Sequence, residues 1–411
     1  MPTGPDLRAL LLACLYAAAS GTNYTNHGPV LDAISREFSL SDASAGAMAT
    51  AFFAGSAATM LLGGALADRF GARLMVSLGF GLVVVSNIGC GLLAPSYPIL
   101  LAWRVVGGIG TGVSFPAGSA YLTATSGERG SHFALGLYGA AFLLGSASTF
   151  LFMPTLAGAG HDWRLAYVLS GLGVGLTFLV WLVGAPPDRP KATRASSARA
   201  DLRAALGVRN SWLLALCHTC GFGLAMILGT WVTSYLVRGF SLDVVQAGGL
   251  GSLVLVMGIV GRFAGGIAVE RGLRPFLAIR GALAMCAIGL LAMAAADGRL
   301  WLAVLGVLVV GLGIGLPYAS LFDGAAASAP SSPASAQALV GWGGTVVAVV
   351  GPPLVGGLLD LTGGFPAGFL SLAVFSTLVL AATWLLRPFG PGPAVGAPSE
   401  GLVAAVPTGR Y

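Results

Sequence analysis

Charged residues are scarce in this chain. Of its 411 residues only 9% are charged, whereas 56% are apolar and the mean hydropathy is +0.87. Soluble globular domains carry about 25% charged residues, so this composition excludes a water-soluble surface. The apolar residues fall in runs of about 20 or more, the length that crosses a hydrocarbon core about 30 Å thick. Because backbone polar groups in lipid need partners within the protein, these runs predict helices and an integral membrane protein.

Other absences narrow the function. All five cysteines lie inside apolar runs, so no disulfide framework is indicated. The sequence has no Gly-x-x-x-x-Gly-Lys-Ser/Thr phosphate loop, which argues against an ATP-driven pump. No His, Asp and Glu spacing indicates an intramembrane hydrolase. We therefore predict no enzymatic activity, no catalytic residues, no cofactor and no bound metal.

The hydropathy pattern predicts twelve membrane spans in two groups of six. Between the groups lies the only long internal break in hydrophobicity, a polar and basic segment. We therefore predict an all-α fold with one six-helix bundle over 1–186, a cytoplasmic linker over 187–210, a second bundle over 211–387 and a disordered cytoplasmic tail over 388–411. The predicted spans are 7–34, 43–67, 74–94, 99–125, 133–158, 164–185, 211–237, 244–268, 276–296, 300–322, 337–359 and 366–386.

The basic residues predict the orientation. Cytoplasmic loops of membrane proteins carry an excess of Lys and Arg. With both termini in the cytoplasm, fifteen of the 21 Lys and Arg fall on the inner side and four on the outer side, while Arg104 and Arg262 remain within spans. We predict a multi-pass protein of the inner (plasma) membrane with both termini cytoplasmic. The same distribution explains the net charge of +6 without any nucleic-acid partner.

Two charged, glycine-containing hairpins interrupt the apolar pattern at equivalent places in the two halves. They are Gly63-Gly64-Ala65-Leu66-Ala67-Asp68-Arg69-Phe70-Gly71-Ala72-Arg73 and Gly265-Gly266-Ile267-Ala268-Val269-Glu270-Arg271-Gly272-Leu273-Arg274. This pattern resembles the loop between helices 2 and 3 of the major facilitator superfamily of secondary transporters, with its counterpart between helices 8 and 9. The resemblance implies a twelve-helix fold whose two halves rock around a midplane site. It also implies a gating role for Asp68, Arg69, Gly71, Arg73, Glu270 and Arg271.

Two arginines stand inside predicted spans. A cation inside the membrane is costly and often functional. The guanidinium of Arg262 is suited to binding planar anions. The alternative is that the Arg262 side chain extends to the membrane–water interface, about 9 Å away along its helix. Arg104 opens a stretch that resembles the fourth-helix motif of the superfamily, with Gly107 in place of the usual glutamine. The resemblance implies proton coupling and contacts to helix 1 for Arg104; a purely structural tie is the alternative.

The outer half of the first span carries a polar cluster of Asn23, Tyr24, Asn26 and His27. Asn23, Asn26 and His27 are spaced three and four residues apart and so share one helix face. Lipid offers them no partner, which places that face towards the bundle interior or a water-filled cavity. We predict that they line the substrate site, with His27 able to relay protons; interhelical hydrogen bonding is the alternative.

Further candidates are aromatic or imidazole side chains inside the second half and the fifth span. Cys217 and Cys220 lie on either side of His218, a grouping that suggests a site for a soft metal ion. Buried thiols are, however, ordinary packing residues. We therefore favour His218 alone as a residue of the substrate site. The aromatic side chains that we predict to line the substrate site are Tyr138, Tyr318 and Trp342. Packing against lipid is the alternative for each of them.

Three stretches resemble the nitrate/nitrite porter and cyanate-permease-like branches of the superfamily, namely 134–140, 261–266 and 351–363. In nitrate porters an arginine on helix 2 and one on helix 8 clamp the anion. Arg262 matches the second, whereas span 43–67 has no arginine. The Gly-Pro motif of drug exporters is also missing from span 133–158.

These features together predict a secondary transporter of a small organic or inorganic anion, by proton symport or exchange. The alternative is a proton-coupled exporter of apolar or cationic compounds, and a membrane receptor or scaffold that does not transport is a third class. The predicted partners are the anion, protons and the lipid bilayer, and we predict a monomer.

Overall fold

The computed structural model describes residues 6–158, 162–187 and 195–389, without the side chains of residues 61, 65, 68, 123–124, 126–133, 195–199 and 201. Part of the predicted linker and nearly all of the predicted tail lie outside these ranges. All regular elements of the described residues are helical. They are α1 (Leu7–Thr25), α2 (Leu31–Phe38), α3 (Asp42–Phe70), α4 (Ala72–Leu92), α5 (Tyr97–Ala157), α6 (Trp163–Gly184), α7 (Ala195–Leu206), α8 (Arg209–His218), α9 (Leu224–Phe240), α10 (Val244–Glu270), α11 (Pro275–Ala294), α12 (Leu300–Gly315), α13 (Tyr318–Ser328), α14 (Pro333–Thr362) and α15 (Phe365–Ala382).

Among the described residues, ten helical segments are long and apolar enough to cross a membrane. They correspond to the third to twelfth predicted spans. The first predicted span corresponds to α1 with α2, and the second to α3. The predicted all-α membrane fold is therefore confirmed.

The fourth and fifth predicted spans lie on one continuous stretch of helical backbone, α5. The hydroxyl of Tyr138 nevertheless donates to the carbonyl of Phe115 at 3.0 Å, and the rings of Phe115 and Phe142 are 5.0 Å apart. A straight helix would separate residues 23 positions apart by roughly 35 Å. The chain therefore reverses direction between them, and the two parts of α5 pack side by side.

Three predicted spans are interrupted by short turns in the structure. A 3-10 turn at Gly28–Val30 separates α1 from α2, a π-turn at Thr219–Gly223 separates α8 from α9, and Pro317 lies between α12 and α13. Proline lacks an N–H and clashes with the preceding turn, which accounts for the breaks at Pro29 and Pro317. In transporters built from structural repeats, the substrate sites are typically formed by interrupted helices.

Glycines set the closest helix packing. On Gly145 of α5 a Cβ would lie 1.9 Å from the carbonyl oxygen of Ala18 on α1, and on Gly265 of α10 it would lie 2.0 Å from that of Leu316. No side chain fits at such distances, so these glycines permit backbone-to-backbone packing, as small residues do between membrane helices. The second contact brings α10 against the end of α12, where the candidate site lies.

Candidate functional site

Arg104, on α5, is almost completely buried and its donors are occupied. It donates to the Asn26 side-chain oxygen at 2.8 Å, the Asn23 carbonyl at 3.3 Å and the Met48 carbonyl at 3.4 Å, and it contacts His27 Nδ1 at 3.1 Å. These five residues form what we call the Arg104 network. The contact to helix 1 implied by the family resemblance is present.

The Arg104 network fixes the tautomer of His27. Arginine only donates hydrogen bonds, so Nδ1 of a neutral His27 is the acceptor and Nε2 carries the hydrogen. Nε2 lies 3.1 Å from the Thr230 hydroxyl on α9, so this face of α1 is tied to the second half of the chain. The side chains of Asn26 and His27 thus make interhelical hydrogen bonds, the alternative to lining the substrate site, whereas the Asn23 side-chain oxygen accepts from Asn26 at 3.2 Å and its Nδ2 has no partner among the described residues. All three residues are fully buried.

A second set of links joins the two halves near the ends of α2 and α9. Arg238 pairs with Asp32 at 2.6 Å and with Asp42 at 2.8 Å, and Asp32 also accepts from Ser234 at 2.9 Å. The carboxylate of Asp360, on α14, accepts from the backbone N–H groups of Asp42 and Ala43 at 2.8 and 2.9 Å. A carboxylate at the start of α3 is favoured by the helix dipole. We call this side of the molecule the Arg238 end.

Asp32, Asp42 and Asp360 were not selected in the sequence analysis. Their partners lie about 200 or more residues away along the chain, and helical periodicity carries no information at that separation. One local signal was available: Ser41 and Asp42 mark the start of α3, whose N-terminal N–H groups need an acceptor.

Arg262 lies where α10 packs against α12 and α13. Its guanidinium carbon is 3.9 Å from the centre of the Tyr318 ring, a cation–π contact. From the other half of the chain, a Cβ on Gly139 would be 3.3 Å from Nη1 of Arg262. Within the described residues, no hydrogen bond or ion pair of Arg262 is found, so its N–H donors are open to a ligand, unlike those of Arg104.

Tyr318 is one of four neighbouring ring side chains, and we call these four residues together with Arg262 the Arg262 cluster. The His218 ring is 5.2 Å from Phe322, 6.2 Å from Tyr318 and 6.3 Å from Phe222. His218 ends α8 directly before the π-turn, a deformation frequent at functional sites. The structure therefore brings three candidates together, Arg262, His218 and Tyr318, and adds Phe222 and Phe322, which the sequence analysis did not select.

The remaining aromatic candidates lie elsewhere. Tyr24 is buried between Phe52, Phe53 and Phe142, and its ring is 6.1 Å from Phe222 at the edge of the Arg262 cluster. Tyr138 is buried beneath Tyr16 and bonded to Phe115 within the first half. Trp342, on α14, is half-buried. In the described ranges no three His, Cys, Asp or Glu residues are close enough to hold a metal ion.

The predicted gating residues lie at the end of the molecule opposite the Arg238 end. Arg69 is exposed with its guanidinium 5.1 Å from the Phe70 ring, Gly71 adopts φ 93° at the turn into α4, and Arg73 donates to the Leu182 carbonyl at 2.9 Å. The side chain of Asp68 lies outside the described residues. At the corresponding place in the second half, the exposed residue Glu270 ends α10 and the exposed residue Arg271 follows it.

A family model described as the Major Facilitator Superfamily matches residues 13–335 of this chain. The probable sulfoacetate transporter SauU of Cupriavidus necator is 31% identical over 261 residues, which cover 58% of this chain and 59% of that protein. The probable nitrate/nitrite antiporter NarK1 of Thermus thermophilus is 26% identical over 381 residues, 85% of each chain. With several curated relatives the match spans only about half of the relative's own length.

The fold also matches solved structures. A bacterial homologue of the human lysosomal transporter Spinster, in an inward-facing and unoccupied conformation, aligns with a TM-score of 0.77 over 93% of this chain and 98% of that chain. The two sequences are 19% identical, so the likeness shows the fold alone.

Proposed function

The chain belongs to the major facilitator superfamily, and from that premise we propose that it is a secondary transporter of a small anion that works by alternating access. The observation that carries the proposal is the Arg262 cluster. Two similar proteins are named for anions, sulfoacetate in one case and nitrate or nitrite in the other. The absence of an arginine from the second predicted span, 43–67, argues for an anion held by one guanidinium rather than two.

Arg262 suits this role because of what surrounds it. No carboxylate among the described residues pairs with it, and the Tyr318 ring stabilises the guanidinium from one face without using its N–H donors. A planar anion binds such a fork through two parallel hydrogen bonds. Nη1 of Arg262 lies near Gly139 of the other half. An anion bound there contacts both halves, so its affinity depends on their relative position.

We propose that the Arg238 end is the closed gate of the described conformation. Most described hydrogen bonds between the halves lie at or near it, including those of Arg238, Asp360 and His27. The charge distribution supports an orientation in which the Arg238 end faces outwards and the hairpins of Arg69 and Arg271 face the cytoplasm. Ser96→Cys is then labelled by an impermeant reagent on intact cells and Ser196→Cys is not; the reverse result refutes the orientation.

We further propose that transport is coupled to protons. The support is His218, whose imidazole belongs to a residue type that titrates near neutral pH and which lies in the same cluster as Arg262. A proton on His218 would add a second positive charge beside a bound anion. The coupling is tested by measuring anion uptake into liposomes with and without an imposed pH gradient, for the unmodified protein and for His218→Gln.

The direct test of function is uptake of radiolabelled nitrate, acetate, benzoate and tetraphenylphosphonium into proteoliposomes. We expect one or more of the anions to enter faster than in protein-free liposomes, and the lipophilic cation to enter at the rate of protein-free liposomes. The alternative function, export of apolar or cationic compounds, draws support from the aromatic rings beside α8. Protein-dependent movement of tetraphenylphosphonium, without protein-dependent movement of any anion, would replace the present proposal by that alternative.

A further inference from the structure

Three aromatic rings of the Arg262 cluster are half-buried although they lie inside the bundle. Phe222 is on the segment Arg209–Phe240, whose most apolar 18-residue stretch has 83% of its residues buried, the largest share among the ten candidate spans of the described residues. A ring on such a segment has little access to lipid, so its exposed part faces the interior. Tyr318 and Phe322, also half-buried, have ring centres 4.6 Å apart, and both lie beside His218, as Phe222 does.

These rings join an aromatic wall in the first half of the chain. Phe222 contacts Tyr24 at 6.1 Å and Phe53 at 6.3 Å, both in edge-to-face geometry. Rings in this arrangement offer both faces and edges to a further ring, because an aromatic pair prefers offset stacked or edge-to-face contact at 4.5–7 Å. The surroundings of Arg262 are therefore aromatic, and the contacts extend from one half to the other.

The fixed charge beside these rings is small. With His218 neutral, Arg262 is the one cation among the described residues of the Arg262 cluster. The other intramembrane cation, Arg104, bonds to Asn23, Asn26, His27 and Met48. A dianion that binds while His218 is neutral would keep one charge without a partner, at a cost of the kind paid by any buried unpaired charge. A single planar anionic group suits the site.

We propose that the substrate is a monovalent aromatic carboxylate, with its carboxylate on Arg262 and its ring among Phe222, Tyr318 and Phe322. This inference rests on the proposed anion transport and specifies the substrate class of that same site. Small inorganic anions and acetate fit the guanidinium but leave the rings without a partner. Lipophilic cations fit the rings but are repelled by Arg262.

The test is a set of dissociation constants for the purified full chain with benzoate, cyclohexanecarboxylate, acetate, terephthalate and benzyltrimethylammonium as probes. We expect benzoate to bind at least tenfold more tightly than acetate and terephthalate, and several-fold more tightly than cyclohexanecarboxylate. Phe322→Leu should weaken benzoate about three- to tenfold and leave acetate unchanged. Phe369→Leu is the matched control, since Phe369 is buried in a separate aromatic cluster with Tyr235 and Phe365; it should change neither constant.

The outcomes separate this inference from the proposed function. If acetate binds as tightly as benzoate, or Phe322→Leu weakens both equally, the aromatic class is wrong and anion transport stands. Equal binding of cyclohexanecarboxylate and benzoate also overturns it, because stacking then contributes nothing. Binding of benzyltrimethylammonium alone overturns both proposals. The melting temperature of each variant, measured without probe, confirms that it is folded.

Discussion

Arg104 and Arg262 are both arginines within membrane-spanning helices, one in each half of the chain, and their surroundings differ. Arg104 has four acceptors around its guanidinium and lies over the Phe52 ring at 4.7 Å. Arg262 lies over the Tyr318 ring at 3.9 Å and has no described acceptor. Both cations are thus stabilised by a ring, but only Arg104 has its N–H donors satisfied by the protein.

The difference indicates what each arginine does. A buried cation with a hydrogen bond from each nitrogen ties its own helix to the segments that supply the acceptors, and here it ties α5 to α3 and to the C-terminal end of α1. A cation whose donors are free can bind a group that is not part of the chain. We therefore propose that the same residue type contributes to stability in the first half and to ligand binding in the second. The distinction depends on the acceptors and not on burial alone.

Removal of Arg104 should have the largest effect. Arg104→Met keeps much of the side-chain volume but leaves Asn26, His27 and the Met48 carbonyl without their donor. Buried groups without a partner cost about 1–3 kcal/mol each, so we expect a loss of about 3 kcal/mol or more of unfolding free energy. The melting temperature and the yield of folded protein measure it. Arg36→Met, at an exposed position, is the control. If both variants have the same melting temperature, the Arg104 network does not stabilise the fold.

Gly139→Ala should affect binding and not folding. The new Cβ would lie 3.3 Å from Arg262 Nη1, the mobile end of a side chain, and meets nothing else within 4 Å. Alanine is also the better helix former, by about 1 kcal/mol. We expect anion affinity to fall by about tenfold, equivalent to about 1.4 kcal/mol, with an unchanged or higher melting temperature. Gly136→Ala is the matched control, because a Cβ there meets nothing within 4 Å; the same affinity for both variants would contradict the contact.

Arg238→Gln should produce the smallest effect. It removes two partly exposed ion pairs that join the halves, with Asp32 and Asp42, and such pairs contribute about 1 kcal/mol or less. In a background whose native cysteines are serines, the rate of thiol labelling of Thr233→Cys should rise about two- to fivefold. Arg164→Gln is the control, since its ion pair with Glu37 lies within the first half. A similar rise with Arg164→Gln would mean that the effect is not one of gating.

The helices were predictable because hydropathy and chain length act locally. Ten predicted spans are matched by the described helices, and the face shared by Asn23, Asn26 and His27 points inwards as its spacing indicates. The three helix breaks were not predicted, although Pro29 and Pro317 mark two of them. The π-turn at Thr219–Gly223 has no comparable signal in the sequence.

The candidate site was predictable only in part, for a physical reason. Arg262 is identifiable because a cation in an apolar run is costly wherever it lies. Phe222 and Phe322 are not, because a phenylalanine in an apolar run is ordinary until its neighbours are known. Asp360 and Asp42 act through a contact between residues 318 positions apart, and no local pattern contains that information.

The most direct test of the central claim is the dissociation constant of each anion probe, nitrate, acetate and benzoate, for Arg262→Lys beside the unmodified protein. Arg280→Lys is the matched control, since Arg280 also lies over a ring, that of Trp384 at 4.5 Å, but bonds to Thr383. Lysine keeps the charge and loses the two parallel hydrogen bonds, each worth about 1.5–3 kcal/mol when charged. We predict at least a tenfold loss of affinity in folded Arg262→Lys and none in Arg280→Lys. Unchanged binding of every probe by Arg262→Lys would contradict the account.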